Sequence, residues 1–506
     1  MLTEPSLQRR PEKKLNTLKE KWNRIGLEAA WLVAGQGLTA LGGLAAIRIL
    51  TGHYSREVYG ISWLFINGAG LAVLLLADPM GQALNRFYHE DGGQEQIDRL
   101  LALIWRLEVF LVLCVGAVYL IAIFFMGKLA GTERVAYFVM PVYFLFLSAM
   151  NAAQTLLNTS RRRVRRVVLL VAEAWLRPAG ALILCLIWKP DVNSFVLGYA
   201  SASIITGSVG IFWIKGFSGK PLSRMPMPDG DYIRRVLSYS LPWIGFSSCS
   251  WVLSISGRYF VGWYLGAALT GTYVASYQVG AALFQFLGGS FGPLVQPIIF
   301  QRARVNGGSC GGAITAAFRA FAWISLPLLS AFLVMHGWLV RWLAAPAYWG
   351  GAKATVWIGL GVYFWVLGDR ARDSFLIAGK TGAMMKINAL CALLNVILNV
   401  ILVPRAGVTG AGMALCLSYL VYMILMIRFG LRASEWKFPA SSFLAAGAVS
   451  AAAAIFAEIV HRAIIGGKFG IPSAPLVAVS FVVVLAASAW LCRPLLKKDL
   501  GTMNQI

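Results

Sequence analysis

Long apolar stretches separated by short polar connections run along nearly the whole chain. A helix that crosses the hydrocarbon core of a bilayer needs roughly 20 mainly apolar residues. Fourteen stretches have about that length, and the pattern therefore predicts fourteen transmembrane helices. They cover residues 27–50, 58–84, 100–126, 135–158, 167–189, 194–215, 236–264, 271–300, 314–339, 354–379, 384–403, 408–428, 440–461 and 470–492.

The composition agrees with a polytopic membrane protein. The chain is 58% hydrophobic and 13% charged, and its mean hydropathy is +0.69. Soluble domains carry roughly 25% charged and 45–50% apolar residues. The seven cysteines are scattered without a C-x-x-C motif, and the four histidines lie far apart. We therefore expect no disulfide framework, no metal site and no cofactor.

The distribution of positive charge predicts the orientation. With the N-terminus in the cytoplasm, the inner segments hold 29 of the 45 lysines and arginines, the outer loops hold 9, and 7 lie within the apolar stretches. This asymmetry places both termini in the cytoplasm. The basic leader, residues 1–24, is too long and amphipathic for a secretory signal, and we expect it to be retained.

The basic block RRRVRR (161–166) then faces anionic lipid headgroups from the cytoplasm. A nucleic-acid partner is the weaker interpretation of the net charge of +24. No outer loop exceeds about 18 residues, which leaves little room for a catalytic head. We therefore expect the protein not to be an enzyme.

The chain also repeats itself at an offset of 214 residues, which is moderate evidence for a duplication. An even number of helices per copy gives both copies the same topology, related by an axis along the membrane normal, and substrate sites usually lie between such copies. The matching pairs are Gly52 and Gly266, Tyr59 and Tyr273, Ser62 and Ser276, Pro79 and Pro293, Gln82 and Gln296, Pro190 and Pro404, and Gly198 and Gly412.

The predicted fold is thus an all-α integral membrane protein of about fourteen helices. It has two six-helix lobes related by a pseudo-two-fold repeat, and two further C-terminal helices. The N-lobe covers residues 25–215, a cytoplasmic linker covers 216–235, and the C-lobe covers 236–430. Residues 431–506 form the last two helices and a cytoplasmic tail. This layout is typical of a transporter.

Several motifs carry a family resemblance. The stretches LNVILNVILVPRAGVTGAGMA (394–414) and GRYFVGWYLGAALTGTYVASYQVG (257–280) resemble recurring patterns of bacterial polysaccharide flippases, and IAGKT (377–381) and VYGISW (58–63) also fit. The match is spread over nearly the whole chain. The sequence resembles the multidrug/oligosaccharidyl-lipid/polysaccharide (MOP) exporter superfamily, and within it the O-antigen and exopolysaccharide (Wzx-like) branch.

The resemblance implies a MATE-like transporter of the bacterial cytoplasmic (inner) membrane. Such a protein flips undecaprenyl-diphosphate-linked oligosaccharides for exopolysaccharide or lipopolysaccharide biosynthesis by alternating access. The implied partners are this lipid-linked substrate, membrane lipids, and polysaccharide polymerase and chain-length or export proteins. One position departs from the pattern: Gly257 stands where the family often has Asp beside Arg258. We therefore expect Arg258 to be free to attract an anion.

Two other classes of function stay open. A drug or cation antiporter, or a lipid II flippase, belongs to the same superfamily, but an antiporter would be expected to have one buried acid with few arginines around it. A membrane enzyme such as a glycan polymerase or ligase would be expected to have a long outer loop. The arginines within the apolar stretches and the short loops favour the flippase.

Charged residues inside the apolar stretches give the candidate site, because such charges persist mostly where a cavity or a partner receives them. Four of them, Asp369, Arg370, Arg372 and Asp373, fall on one predicted helical turn in GDRARD. Glu173 and Arg177 are four residues apart and can pair on one helix face. Salt bridges between helices are the structural alternative for both groups.

Guanidinium groups fit phosphate oxygens, and amides fit sugar hydroxyls. We therefore predict a central cavity whose substrate-binding residues are Arg177, Arg258, Arg319, Arg370, Arg372, Asn151, Gln154 and Asn158. The candidates for coupling to an ion are Asp78, Glu173, Asp369 and Asp373. Asn395 and Asn399 are expected to link helices rather than to bind substrate.

Overall fold

The computed structural model describes residues 33–88, 94–125, 132–160, 162–218, 228–305 and 310–466, together with Trp31 and Pro226. Nearly all described residues are helical, and no strand occurs among them. The helices are α1 (Val33–His53), α2 (Arg56–Phe87), α3 (Gln94–Phe125), α4 (Arg134–Thr159), α5 (Arg163–Ile187), α6 (Val192–Ser218), α7 (Gly230–Leu265), α8 (Ala267–Val305), α9 (Gly311–Leu343), α10 (Ala352–Asp369), α11 (Arg372–Ile377), α12 (Thr381–Ser434) and α13 (Ala440–Gly466).

Ten of the described helical segments are long and apolar enough to cross a membrane. The predicted all-α, multi-pass fold is therefore confirmed. The predicted span at 236–264 falls on α7, which is not one of the ten, because serine and arginine side chains recur along it. The leader (1–24) and the fourteenth predicted span (470–492) lie outside the described residues.

The tenth predicted span is interrupted, which corrects the expectation of one continuous helix with four charges on one turn. The helix α10 ends at Asp369, and the short helix α11 begins at Arg372. The amide of Lys380 donates to the carbonyl of Phe375 and ends α11. The charged residues therefore lie at a helix–helix junction, where backbone groups are not all taken up by one helix.

The eleventh and twelfth predicted spans both lie in α12, whose backbone changes direction at Gly407. Gly407 has a φ of 59°, a conformation that glycine adopts without steric strain. Pro404 lies three residues earlier and lacks the N–H group of a regular helical hydrogen bond. The two predicted spans correspond to the two limbs of this kinked helix.

The buried apolar residues form one large cluster in α7–α12 and two clusters centred on α2–α6. One of the latter also contains residues from α8, from the end of α9 and from the 3₁₀ turn Pro346–Gly351, so the two halves of the chain pack together there. Tyr59 lies in this shared cluster and donates a hydrogen bond to Gln278 Oε1 at 2.8 Å.

Two glycines bring α2 and α8 into direct backbone contact near the ends at which both helices begin. A Cβ on Gly60 would overlap the carbonyl oxygen of Ala267, and a Cβ on Gly271 would overlap that of Arg56. We call this the glycine contact. It closes one end of the space between the two halves.

The helix α7 also follows α2 over most of its length. Tyr259 Oη donates to the carbonyl of Leu64 at 3.1 Å, and Ser247 Oγ donates to Asp78. Near the end of α2 and the start of α7, the Arg86 guanidinium lies 4.5 Å from the ring centroid of Tyr239. Polar and aromatic contacts therefore hold the first helix of the second half against the first half.

Candidate functional site

Three cavities lie beyond the glycine contact: one within the first half of the chain, one within the second half, and one between the halves. The N cavity (about 410 Å³) is lined by α2, α4 and α5, and the C cavity (about 400 Å³) by α8, α10 and the α10–α11 junction. The middle cavity (about 430 Å³) lies between α1, α5, α7 and α8. Arg177 lines the N and middle cavities, and Gln285 lines the middle and C cavities. Because neighbouring cavities share a lining residue, we refer to the three together as the cleft.

The N cavity contains the acid Asp78, one of the predicted ion-coupling residues. Its carboxylate accepts hydrogen bonds from Ser247 Oγ on α7 and from Gln82 Nε2 one turn along α2, the latter at 3.5 Å. Both partners are uncharged. Among the described residues, Asp78 has no salt bridge.

Apart from Arg177, the other polar groups of the N cavity are uncharged amides and hydroxyls. Asn151 Nδ2 donates to the carbonyl of Leu147 at 2.8 Å, and Asn85 Oδ1 accepts from Thr159. Each asparagine uses only one side of its amide in these contacts. Within the described part of the chain, the side-chain oxygen Oδ1 of Asn151 and the side-chain nitrogen Nδ2 of Asn85 have no hydrogen-bond partner.

The middle cavity is lined by Arg258 together with aromatic and glutamine side chains. Arg258 is buried, donates to Asn67 Oδ1 on α2, and lies 4.4 Å from the ring centroid of Tyr277. The expectation that this arginine is free for an anion is therefore wrong in this conformation. Gly257 leaves it without an adjacent acid, but an asparagine and a tyrosine receive it instead.

The C cavity contains all four charges of GDRARD. The carboxylate of Asp369 accepts a hydrogen bond from Arg370 at 2.9 Å and forms an ion pair with Arg372 at 3.2 Å. Asp373 instead accepts from the amide of Gln296 on α8 at 2.8 Å. The expected Asp369–Arg372 pair is therefore present, but the two acids have different partners.

Arg370 reaches its position because α8 carries a glycine opposite it. A Cβ on Gly292 would lie 2.8 Å from Arg370 Nη1. The Arg370 side chain and that of Asp369 are each 11% exposed, whereas that of Arg372 is 40% exposed. Arg372 is thus the guanidinium of this group that is most open to the cleft.

The predicted Glu173–Arg177 ion pair is also present. Arg177 further donates to Ser203 Oγ on α6 at 3.4 Å, and Gln154 donates to Glu173 at 3.4 Å. These contacts link α4, α5 and α6. Arg177 therefore has a structural role in addition to lining two of the cavities.

Four predicted site residues do not line the three cavities. Gln154 and Glu173 belong to the network just described, and Asn158 accepts from Arg166 at 3.3 Å near the end of α4. Arg319 lies on α9, away from the cleft lining. The structure therefore brings together Arg177, Arg258, Arg370, Arg372, Asn151, Asp78, Asp369 and Asp373.

Asn395 links helices, as the sequence predicts, whereas the hydrogen bonds of Asn399 stay within one limb of α12. Ser256 Oγ on α7 donates to Asn395 Oδ1 at 3.0 Å, and Asn395 Nδ2 donates to Ser418 on the second limb of α12 at 3.3 Å. Asn399 Nδ2 donates to the Asn395 carbonyl at 2.8 Å. This buried cluster fixes the kinked α12 against α7.

Glutamines and asparagines of α1, α2 and α8 also line the cleft and are not among the predicted site residues. One signal was available, because Gln82 and Gln296 match across the repeat and are polar positions inside apolar stretches. In the described ranges, no group of three or more histidine, cysteine or acidic residues could hold a metal ion. The other missed residues are Gln36, Asn67, Asn85, Gln278 and Gln285.

Comparison with solved structures identifies the fold. The lipid II flippase MurJ in an inward closed conformation matches with a TM-score of 0.70 at 14% identity, covering 92% of this chain and 99% of that one. An inward-facing multidrug resistance MATE family transporter of the MOP superfamily matches with a TM-score of 0.61 at 14% identity, covering 80% and 98%. A MOP superfamily transporter from Pyrococcus furiosus matches with a TM-score of 0.58 at 15% identity, covering 81% and 95%.

Sequence comparison identifies the family. No curated protein sequence matches the chain. A family model described as polysaccharide biosynthesis protein matches residues 26–302, which is more than half of the 506 residues. This match confirms the resemblance that the motifs suggest. The chain has the fold of the MOP superfamily transporters and belongs to the polysaccharide biosynthesis protein family.

Proposed function

We propose that this protein flips undecaprenyl-diphosphate-linked oligosaccharides across the bacterial cytoplasmic membrane for exopolysaccharide or O-antigen biosynthesis. One observation carries the proposal: three cavities that share lining residues combine guanidinium groups with uncharged amides. A lipid-linked oligosaccharide presents a diphosphate and sugar hydroxyls next to each other. A guanidinium group can donate two parallel hydrogen bonds to phosphate oxygens. An amide can both donate a hydrogen bond to a hydroxyl group and accept one from it.

The closed end of the cleft supports alternating access as the mechanism. The glycine contact and the Tyr59–Gln278 hydrogen bond lie on one side of the cavities. The lysine and arginine distribution predicts that this side is external. In this proposal the structure is therefore an inward-facing state, and transport requires the ends of α2 and α8 to separate.

The contacts of the acids narrow the candidates for ion coupling. Asp369 and Glu173 each form an ion pair with arginine. Asp78 and Asp373 accept only from uncharged groups among the described residues. We therefore assign the exchange of a coupling ion to Asp78 and Asp373 and the positioning of arginines to the other two.

A lipid II flippase is the second candidate, because the solved lipid II flippase covers nearly the whole chain in the fold comparison. Both functions move an anionic lipid-linked sugar, so the lining chemistry alone fits either. A drug or cation antiporter fits the four arginines of the cleft less well.

Deleting the gene and identifying the accumulated lipid-linked intermediate by mass spectrometry tests the proposal. We expect an undecaprenyl-diphosphate-linked oligosaccharide to accumulate, and the wild-type gene to remove it. An Arg372→Ala gene, expressed to the same level, should remove it poorly. Accumulation of lipid II would favour the second candidate, and no change in either lipid would contradict both.

A further inference from the structure

The two cavities at the ends of the cleft are built from equivalent parts of the repeat but differ in chemistry. The helices α2 and α4 line the N cavity, and their counterparts α8 and α10 line the C cavity. Gln82 and Gln296 are 214 residues apart and occupy the same place in each. At the same offset, Thr155 of the N cavity is replaced by Asp369 in the C cavity.

At two further pairs of positions, an amide or an acid of the N cavity has no equivalent in the C cavity. Asn151 lines the N cavity, and Trp365 is its counterpart in the C cavity. Asp78 of the N cavity corresponds to Gly292, and this glycine leaves the space that the Arg370 guanidinium enters. The C cavity thus has two guanidinium groups, whereas the N cavity has one, that of Arg177, which is held by Glu173 and Ser203.

The N cavity keeps unused hydrogen-bonding groups of both kinds. Asn151 Oδ1 and Asn85 Nδ2 have no hydrogen-bond partner within the described ranges. Both residues are exposed and line the cavity. A hydroxyl can donate to the first and accept from the second. A diphosphate has acceptors only, and near Asp78 it would also meet a negative charge.

The C cavity keeps a positively charged group facing the cleft. Two guanidinium groups and two carboxylates line this cavity, so its formal charge is zero, but Arg370 and Arg372 share a single acid, Asp369. Asp373 is engaged by Gln296. The Arg372 guanidinium remains 40% exposed with its planar donors available for phosphate oxygens.

We infer that the substrate binds across the cleft in one orientation, with its diphosphate in the C cavity against Arg372 and Arg370. Its first sugars bind in the N cavity against Asn151 and Asn85. This inference rests on the proposed function. The middle cavity, lined by Trp63, Tyr199 and Tyr277, joins the two ends.

Binding of two lipids to the purified full-length protein in lipid nanodiscs tests this orientation. One is undecaprenyl diphosphate without sugars, and the other is the same lipid carrying an oligosaccharide. We expect Arg372→Gln to weaken binding of both lipids by about tenfold or more, because a hydrogen-bonded charge is lost. The double variant Asn85→Ala/Asn151→Ala should weaken only the sugar-bearing lipid, by a similar factor.

Matched controls separate these effects from general damage. Arg341→Gln removes an arginine that stacks on Trp349, and Gln96→Ala removes an exposed amide at the start of α3. Neither should change binding of either lipid. If Arg372→Gln lowers the melting temperature, the Arg372→Lys variant is measured in its place. Lysine keeps the positive charge but lacks the planar pair of donors of the guanidinium group.

The orientation would be overturned if Arg372→Gln weakened only the sugar-bearing lipid and Asn85→Ala/Asn151→Ala weakened both lipids. Equal losses for both lipids in every cleft variant would also overturn it. Either result would leave the proposed function standing. Wild-type protein that binds neither lipid more tightly than undecaprenol would remove the proposed function itself. The two failures are therefore distinguishable in one set of measurements.

Discussion

At the scale of single residues, the two acids of the α10–α11 junction are not equivalent. The Asp369 carboxylate lies within 3.2 Å of two guanidinium groups, while the Asp373 carboxylate accepts a hydrogen bond from one neutral amide. Hydrogen bonds to charged groups contribute about 1.5–3 kcal/mol each, against about 0.5–1.5 kcal/mol for neutral ones. Removing the charge of Asp369 also leaves the largely buried Arg370 guanidinium and the partly exposed Arg372 guanidinium without their acidic partner.

We therefore expect Asp369→Asn to lower the free energy of unfolding by about 2–4 kcal/mol and Asp373→Asn by about 1 kcal/mol or less. Thermal unfolding in detergent, with protein abundance in the membrane as a second readout, measures both. The two variants serve as controls for each other, because the same chemical change is made four residues apart. Equal destabilisation would contradict the assignment of the arginines to Asp369.

Arg258 is a second residue whose contacts change an expectation. The sequence predicts that Arg258→Ala impairs export without lowering abundance. In the structure this arginine joins α7 to α2 through Asn67 and lies on Tyr277. A charge-assisted hydrogen bond and a desolvated cation–π contact, about 2 kcal/mol each, would both be lost.

Arg258→Ala should therefore lower both abundance and export, and Arg258→Lys should recover part of the abundance because the ammonium can still reach Asn67 or the ring. Quantitative immunoblots of membranes beside a transport assay measure this. An Arg258→Ala protein at wild-type abundance with no export would instead support direct substrate binding.

At the scale of elements, the start of α6 shows a local signal that the sequence contains in full. Asp191 caps the helix, with its Oδ1 accepting from the amide of Ser194 at 2.8 Å, and Lys189 lies 3.2 Å from its Oδ2. Burial raises the pKa of Asp191, but hydrogen bonds from the Ser194 amide, Lys189 and Asn193 outweigh it and hold the pKa below its usual value.

We expect Asp191→Ala to lower the free energy of unfolding by about 1 kcal/mol at neutral pH. Since the folded pKa is depressed, this contribution is present above the unfolded value of about 4 and is lost as the pH falls through the folded value. Unfolding midpoints at pH 7 and at pH 3 measure the difference. Asp191→Asn, which keeps a capping oxygen, should lose less.

Most elements could be predicted from hydropathy, because spans of about 20 apolar residues have few alternatives in a bilayer. The junction between Asp369 and Arg372 could not, since neither proline nor glycine lies between them. The sequence also does not reveal that Asn85 and Gln285 line the cleft. A cavity is defined by which face of each helix is left uncovered, and that depends on packing rather than on local sequence.

At the scale of the whole molecule, the predicted orientation fixes which end of the cleft faces the cytoplasm. Reporter fusions after residues 165 and 225 should read as cytoplasmic, and a fusion near residue 345 should read as external, because the inner segments hold 29 lysines and arginines and the outer loops 9. The opposite reading at any of these sites would reverse the direction assigned to the closed end.

The glycine contact has a consequence for how the molecule divides its time between conformations. Gly60 and Gly271 let two backbones touch, and a methyl group at either position would overlap a carbonyl oxygen of the other helix. Such a wedge acts on the closed state alone, and each 1.4 kcal/mol that it adds changes the ratio of closed to open molecules about tenfold. We expect Gly60→Ala to raise the labelling rate of a cysteine introduced at Gln278, whereas Gly52→Ala, whose Cβ meets nothing within 4 Å, should not change it. Two residues without side chains would then set how often the cleft opens to the outside, at a point that the substrate does not need to touch.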